Sequence, residues 1–306
     1  MDGLLVIDKP AGPTSHDVVA RIRRVIGEQR VGHTGTLDPA ATGVLPLVVG
    51  RATRLARFLS ASDKTYEAEI RLGAATDTYD AMGAAVASCH TGAWPSRDDV
   101  MRALDAFRGE FLQQPPAFSA KKIAGRRSYR IARGVGSDRG QTPIRPQAAP
   151  PAVVVTAHAI DVIAADADRV RLRIECSAGF YVRSLAHDLG HSLGVGAHLT
   201  GLRRIRSGDY SVEEALPLQT AEENRKAAYA ALVAIERMLP GLAAVVLTEE
   251  DARRAAHGRD VAVSDAARPT GTPGTVVRLL DPRGQLLGIG ESSPTPGVLH
   301  PAVVLR

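Results

Sequence analysis

Residues 32–43 read GHTGTLDPAATG and place one acid, Asp38, among three glycines and a proline. Glycine permits positive φ and close approach of a second backbone, and Pro39 stiffens the chain directly after the acid. Such a loop can hold one carboxylate at the floor of a cleft. Asp-Pro is also a common way to open a turn, and local composition leaves these two readings level. The stretch lacks the Lys-Ser/Thr ending of a phosphate-binding loop, and its glycine spacing does not fit the dinucleotide fingerprint, so nucleotide triphosphate binding is not expected.

Working outward, LLVIDKP is extended, and TSHDVVARIRRVIG reads as a helix. Val18, Val19, Ile22, Val25 and Ile26 fall on one face, Thr14 or Ser15 caps the start and Gly27 ends it. VLPLVVG reads as a short buried strand and TRLARFL as a helical turn or two. KTYEAEIRLG alternates, which turns Tyr66, Ala68, Ile70 and Leu72 inward. Ser96 and Asp99 form a capping-box pattern ahead of a helix carrying Val100, Leu104 and Phe107. From Gln113 to Pro151 all periodicity is lost, as in a long surface insertion. RVRLRIECS is a second alternating strand, leading into the helical FYVRSLAHDLGHSLG. A helix-rich stretch near AEENRKAAYAALVAIERML closes the first domain. After Leu242 come a strand, a short helix capped by Thr248 and a hairpin at DPRG, Asp281 to Gly284. The reading is α+β: a large domain on a mixed sheet over residues 1–240, with the insertion at about 113–151, and a small mostly-β domain over 241–306.

A chain of 306 residues exceeds the usual single domain, which agrees with two units. The N-terminus lacks a basic stretch followed by an apolar run, and no window is apolar for long enough to span a bilayer, so a cytoplasmic location is expected. Cys89 and Cys176 lie far apart with no CxxC spacing, which indicates neither a disulfide framework nor a zinc ribbon. The formal net charge is +5, yet the segment from Lys121 to Arg145 alone carries eight basic residues against one acid, Asp138. A charge run by itself is usually a solvated loop. Here Phe118 and Tyr129 are interleaved, and aromatics within a basic segment suit a partner with both phosphates and bases, which moves the balance toward nucleic acid.

A carboxylate acting as a nucleophile needs a cation that keeps it ionised. Arg183, in SAGFYVRS at a strand-to-helix junction, is the candidate, although a surface helix arginine is the default. HDLGH sets His187 and His191 four apart on a helix, as in HExxH zinc proteases. Asp188 stands where that motif needs a longer glutamate, Gly190 weakens the helix and no third ligand is evident. A pair of exposed or capping histidines is the simpler account.

Taken together, KPAGPTSHDVV, RVGHTGTLDPAATGVLPLVVGRATR, KTYEAEIRLGAATDTYDAMG, QQPPAFSAKKIAGRRSYRIAR, CSAGFYVRSLAHDLG and GAHLTGLRR stand in one order over about 210 N-terminal residues. In this the chain resembles the TruB family of bacterial tRNA pseudouridine synthases, which isomerise uridine 55 in the T loop. The resemblance implies that Asp38 is the nucleophile, attacking C1′ of the ribose or C6 of the base, and that Arg183 pairs with it. It implies that Tyr66 stacks on the target base and takes the C5 proton, and that Tyr181 lines the base pocket. His33 would fill the gap left by the extruded base and Leu202 would pack against the flipped uridine. Lys9 joins the substrate-binding residues. The basic insertion corresponds to the family's thumb, with Lys122, Arg126, Arg127 and Arg130 as RNA contacts. The thumb departs from the family in carrying SAKK, with Lys121 as an extra charge, and a segment rich in Pro, Gly and Ala. LLDPRGQLLGIGE resembles a PUA-like RNA-binding domain. The resemblance further implies tRNA, through its T stem-loop, as partner, no metal or redox cofactor, no obligate protein partner and a monomer. The alternatives are a non-catalytic RNA-binding module on the same scaffold and a zinc hydrolase built on His187 and His191.

Overall fold

The computed structural model describes residues 1–86, 90–117, 150–263 and 274–305, together with the backbone of 122–123 and 126–127. Its elements follow the local chemistry of the chain closely. Strand β1, Gly3–Lys9, is buried along almost its whole length. Helix α1, Ser15–Ile26, opens with the Thr14 side chain and Asp17 satisfying each other's backbone in a capping box and closes on Gly27 at φ 70. Val18, Val19, Ile22 and Ile26 are buried as expected, whereas Val25 is half exposed at the edge of the apolar stripe. Strands β2, Val31–His33, and β3, Thr42–Val49, follow.

Strand β4, Lys64–Leu72, and helix α2, Arg97–Asp105, come next; α2 carries the capping box of Ser96 and Asp99. Phe107 falls just past the end of α2, so it packs from the following turn and not from the helix. Strand β5, Gly109–Gln113, was not legible as a strand, and it moves the start of the insertion: Gln113, expected to open a surface loop, is 1% exposed. Within the insertion the backbone of Lys122 and Ile123 pairs antiparallel with Arg127 and Arg126.

Strands β6, Val153–Asp166, and β7, Arg169–Cys176, lead to helix α3, Val182–Ser192, and strand β8, Ala197–Ser207. The stretch expected to be helix-rich after Leu216 holds two short helices, Leu218–Glu223 and Arg225–Ala230. Val233–Ala234 there is extended and pairs with Leu4 and Gly3 of β1. The C-terminal part contains β9, Ala244–Val246, helix α4, Glu249–Ala256, and strands β10, Val261–Ala262, β11, Val276–Leu280, β12, Leu286–Ser292, and β13, Val298–Val304. Thr248 caps α4, and Asp281 ties the DPRG turn by accepting from the N–H groups of Arg283 and Gln285.

Two compact units emerge. One comprises Asp38–Gly43 and Ala61–Ser207. In it β8, β4, β7, β6 and β5 lie side by side in that order, and α2 and α3 cover one face. Apolar side chains at every second position of β4 and β7 meet Val100 and Leu104 of α2 and Leu185, Ala186 and Leu189 of α3. The other unit comprises Met1–Leu37, Val44–Ser60 and Gly208–Arg306. Here β1 lies between Leu216–Pro217 and β3, and a second sheet runs in the order β9, β11, β12, β13, β10. Leu286, Ile289 and Leu305 share a core with Leu4, Val6, Val44 and Val48, while Val245, Val261, Val277 and Leu299 form a cluster of their own. No helix among the described residues is long and apolar enough to cross a membrane.

Gly43 is the glycine of the opening stretch whose conformation is demanded. It sits at φ 100, pairs with Arg204, and a Cβ there would stand 2.2 Å from the Arg204 carbonyl oxygen. Gly43→Ala is therefore expected to cost more than about 2 kcal/mol in unfolding free energy by urea titration; a change below about 0.5 kcal/mol would show that the two backbones are free to part.

Candidate active site

Asp38 sits at the start of a turn whose backbone is fixed from both sides. The Ala41 N–H donates to the Asp38 carbonyl at 3.1 Å, with Pro39 at the second position. Upstream, the buried Ser15 hydroxyl accepts from the Leu37 N–H at 2.9 Å and donates to the Leu37 carbonyl at 3.1 Å. The turn reading thus holds for the backbone of Asp38, and its side chain is engaged separately.

That side chain meets Arg183. The Nε of Arg183 lies 3.0 Å from one carboxylate oxygen of Asp38, and its Nη2 donates to the other at 3.3 Å, a two-pronged pair across 145 residues. Arg183 is not a surface arginine. Its side chain is 9% exposed and that of Asp38 is 42% exposed, so the carboxylate is the member of the pair that an incoming ligand can reach.

The far side of the guanidinium is occupied by a segment whose role was not identified from sequence. Nη1 donates to the Thr78 carbonyl at 3.2 Å and lies 3.5 Å from a carboxylate oxygen of Asp80. Asp80 is itself immobilised: its other oxygen accepts from the Thr78 hydroxyl at 2.6 Å and from the Met82 N–H at 3.0 Å. Between them Tyr79 adopts φ 63, unusual for a residue other than glycine, and its ring stacks on His187 at 3.9 Å between centroids. A buried guanidinium is tolerated only where its charge and donors are met, and two carboxylates and a carbonyl meet them here. The signal in the sequence was TDTYD, where short polar residues around an aspartate mark a self-bonded turn; nothing local tied that turn to Arg183.

Tyr66 lies on β4 directly opposite Arg204 of β8, so both side chains rise from one face of the sheet. Arg204 is 1% exposed. Burial pushes the Tyr66 phenol above its ordinary value, and the charge and hydrogen bond of Arg204 pull it back. Two residues along, Lys64 is 6% exposed and donates to the Ser62 carbonyl. Burial, followed by repulsion from Arg204, draws its ammonium down to about 8, while burial drives the Cys176 thiol beside it up to about 12. The floor around Tyr66 is thus a desolvated patch of positive charge.

The remaining expected residues are dispersed. Tyr181 caps α3 in an extended conformation and is half-buried. Leu202 faces Ala68 across β8 and β4 and packs on the core of that unit. In the other unit His33 ends β2, with its ring edge-on to His16 at 5.2 Å. There too Lys9, fully buried, donates to the Pro10 carbonyl at 3.0 Å. His187 and His191 share α3, yet His187 lies under Tyr79 and His191 is exposed. The side chains of Lys122, Arg126 and Arg127, and all of Cys89, Phe118, Lys121, Tyr129 and Arg130, lie outside the described residues.

The buried lysine has a measurable consequence. Its folded-state pKa falls from 10.5 to about 8, so the unfolded chain binds more protons in that window and stability rises as pH increases through it. At about 1.4 kcal/mol per pH unit, the rise attributable to Lys64 is about 3 kcal/mol. Urea unfolding of wild type and Lys64→Met between pH 7.5 and 10.5 is expected to diverge in slope; parallel curves would contradict it.

Comparison with known proteins gives the family. Residues 23–182 match the family described as TruB family pseudouridylate synthase (N terminal domain). Residues 183–242 match the tRNA pseudouridylate synthase B C-terminal domain, and 243–305 match Pseudouridine synthase II TruB, C-terminal. The tRNA pseudouridine synthase B of Solibacter usitatus is 41% identical over 309 residues, covering 100% of each chain. That of Aromatoleum aromaticum is 39% identical over 303 residues, covering 98% of this chain and 92% of its own. A solved Cbf5-Nop10-Gar1 complex contains a chain that aligns at a TM-score of 0.74 and 26% identity over 99% of this chain and 85% of that one. An H/ACA RNP bound to a substrate RNA containing 2'-deoxyuridine shares the fold at a TM-score of 0.71 and 24% identity, covering 99% of this chain and 85% of that one. A carboxylate held by a buried arginine, an α+β fold and a match along the whole chain lead to one conclusion: the protein belongs to the TruB family of pseudouridine synthases and is an isomerase.

Proposed function

We propose that the protein converts uridine 55 in the T loop of tRNA to pseudouridine, with Asp38 as the nucleophile acting on a uridine flipped out of the RNA. The observation that carries this reading is the half-exposed Asp38 carboxylate gripped by the buried Arg183. Such a pair fixes the carboxylate through both of its oxygens while leaving its exposed side open to a ligand.

Asp38 attacks C1′ of the ribose or C6 of the base. The N1–C1′ bond breaks, the uracil turns, C5 bonds to C1′, the bond to Asp38 breaks to return the carboxylate, and the proton leaving C5 is balanced by one gained at N1. Nothing is oxidised or reduced, so the chemistry calls for no redox cofactor, and a metal is not part of the proposal. Tyr66, on the sheet face beside Arg204, stacks on the base and takes the C5 proton as a phenolate, the form that the nearby cation makes accessible. Extracting a base from a folded loop costs a few kcal/mol of stacking, and we assign Tyr181 and Leu202 to the extruded uridine and His33 to the gap it leaves. Lys9 is assigned to substrate binding. The insertion that follows β5 and runs to about 151, through Lys122, Arg126, Arg127 and Arg130, binds phosphates of the RNA backbone. Functionally the chain divides into a catalytic domain, 1–240, and a PUA-like domain, 241–306, that holds the tRNA stem. The protein acts in the cytoplasm as a monomer with no obligate protein partner.

Asp38→Asn is expected to abolish tritium release from [5-³H]uridine-labelled tRNA transcript while tRNA affinity stays within a few-fold, because the change removes a nucleophile and little surface. Wild-type release from that variant, or from a transcript whose T-loop target is replaced by cytidine, would overturn the assignment. Neutralising Arg126, Arg127 and Arg130 together is expected to lower the slope of log K against log[salt] by about one for each phosphate that the variant no longer neutralises; an unchanged slope would take the insertion off the RNA backbone.

A further inference from the structure

Gln113 makes a pair of hydrogen bonds that the reaction as described does not use. It ends β5, is 1% exposed, and its side-chain amide meets a single residue twice: Nε2 donates to the Tyr181 carbonyl at 3.0 Å, and Oε1 accepts from the Tyr181 N–H at 2.8 Å. Tyr181 is the cap of α3, and its own side chain makes no capping hydrogen bond. Its carbonyl also takes the N–H of Leu185, the first bond of the helix. The next residue of β5's exit is fastened to the same turn, since the Ser184 hydroxyl donates to the Gln114 carbonyl at 2.7 Å. Gln114 in turn donates to the Pro150 carbonyl, where the chain comes back from the insertion.

We infer that Gln113 is a positioning residue for the reaction: it fixes the entry of α3, and with it the direction in which Arg183, two residues on, presents its guanidinium to Asp38. An amide whose donor and acceptor are both engaged by one residue's backbone defines position and rotation together, as a single hydrogen bond does not. The Arg183–Asp38 pair is two-pronged, at 3.0 and 3.3 Å, so a shift of the helix start by a fraction of an ångström opens one prong. A misplacement of about 1 Å at a reacting centre can cost about a hundredfold in rate, and a smaller one less. This inference rests on the catalytic reading of the pair given above.

The test uses single-turnover isomerisation of a tRNA transcript with the full chain in excess, alongside tRNA binding and thermal unfolding. Gln113→Met keeps the volume and deletes both hydrogen bonds. It is expected to slow the step ten- to a hundredfold with tRNA affinity within threefold of wild type. Gln113→Glu supplies a signature that a merely structural residue would not give. As a carboxylate it can accept from the Tyr181 N–H but repels the carbonyl; once protonated it accepts and donates as the amide does. The rate of Gln113→Glu relative to wild type is therefore expected to rise as pH falls. A folded Gln113→Met that reacts at the wild-type rate, or that loses affinity in proportion to rate, would overturn the inference. If Gln113→Met does not fold, a pH-independent ratio for Gln113→Glu would overturn it alone. Failure of the underlying reading has a different mark: an active Asp38→Asn, whatever the Gln113 variants do.

Discussion

One buried cation organises the site. Arg183 reaches a half-exposed carboxylate on one side and, on the other, a carbonyl and a partly buried carboxylate that also accepts from Thr78 and Met82. Removing a guanidinium from water is costly unless its charge and donors are met, so each of these partners has to be held where the arginine needs it. That requirement accounts for features of the chain that are otherwise unrelated: the left-handed Tyr79 between Thr78 and Asp80, the capping position of Tyr181, and the turn that opens at Asp38. Asp38 is the partner with its side chain 42% exposed, and the asymmetry leaves one face of the ion pair open to a ligand.

A second electrostatic choice is made on the sheet beside it. Lys64, on the same strand as Tyr66, and Arg204, opposite Tyr66 on β8, are both buried, and repulsion from Arg204 contributes to drawing the lysine's pKa to about 8. Like charges placed together in a desolvated patch lower stability. Arg204 also counters the burial that raises the Tyr66 phenol above its ordinary value. A patch of this kind suits a tyrosine that has to be present as phenolate to take a proton from the base, which is the role proposed for it.

Much of the fold was legible because it is written in local periodicity. The capping box at Thr14 and Asp17 and the stop at Gly27 bound α1, the alternation of β4 and β7 puts their apolar residues inward, and the DPRG turn marks the hairpin between β11 and β12. The site was legible in a different way. Asp38 and Arg183 are 145 residues apart, and what joined them beforehand was a resemblance across several motifs and not any property of either residue. Asp80 and Gln113 were not found, for a physical reason. Each makes its decisive bonds to a backbone or side chain remote in sequence, and Gln113 abuts a run of prolines and basic residues that obscures the end of its strand. Val233–Ala234 was hidden among good helix formers and became extended because β1 offered it a partner.

The central claim is that the Asp38–Arg183 pair, and not the surrounding RNA-binding surface, carries the chemistry. Single-turnover conversion of a tRNA transcript by Arg183→Gln, with folding checked by circular dichroism and tRNA affinity measured on the same preparation, tests it most directly. The account predicts a folded protein that binds tRNA within a few-fold of wild type and converts uridine at least a hundredfold more slowly. A folded variant that turns over at the wild-type rate would contradict it.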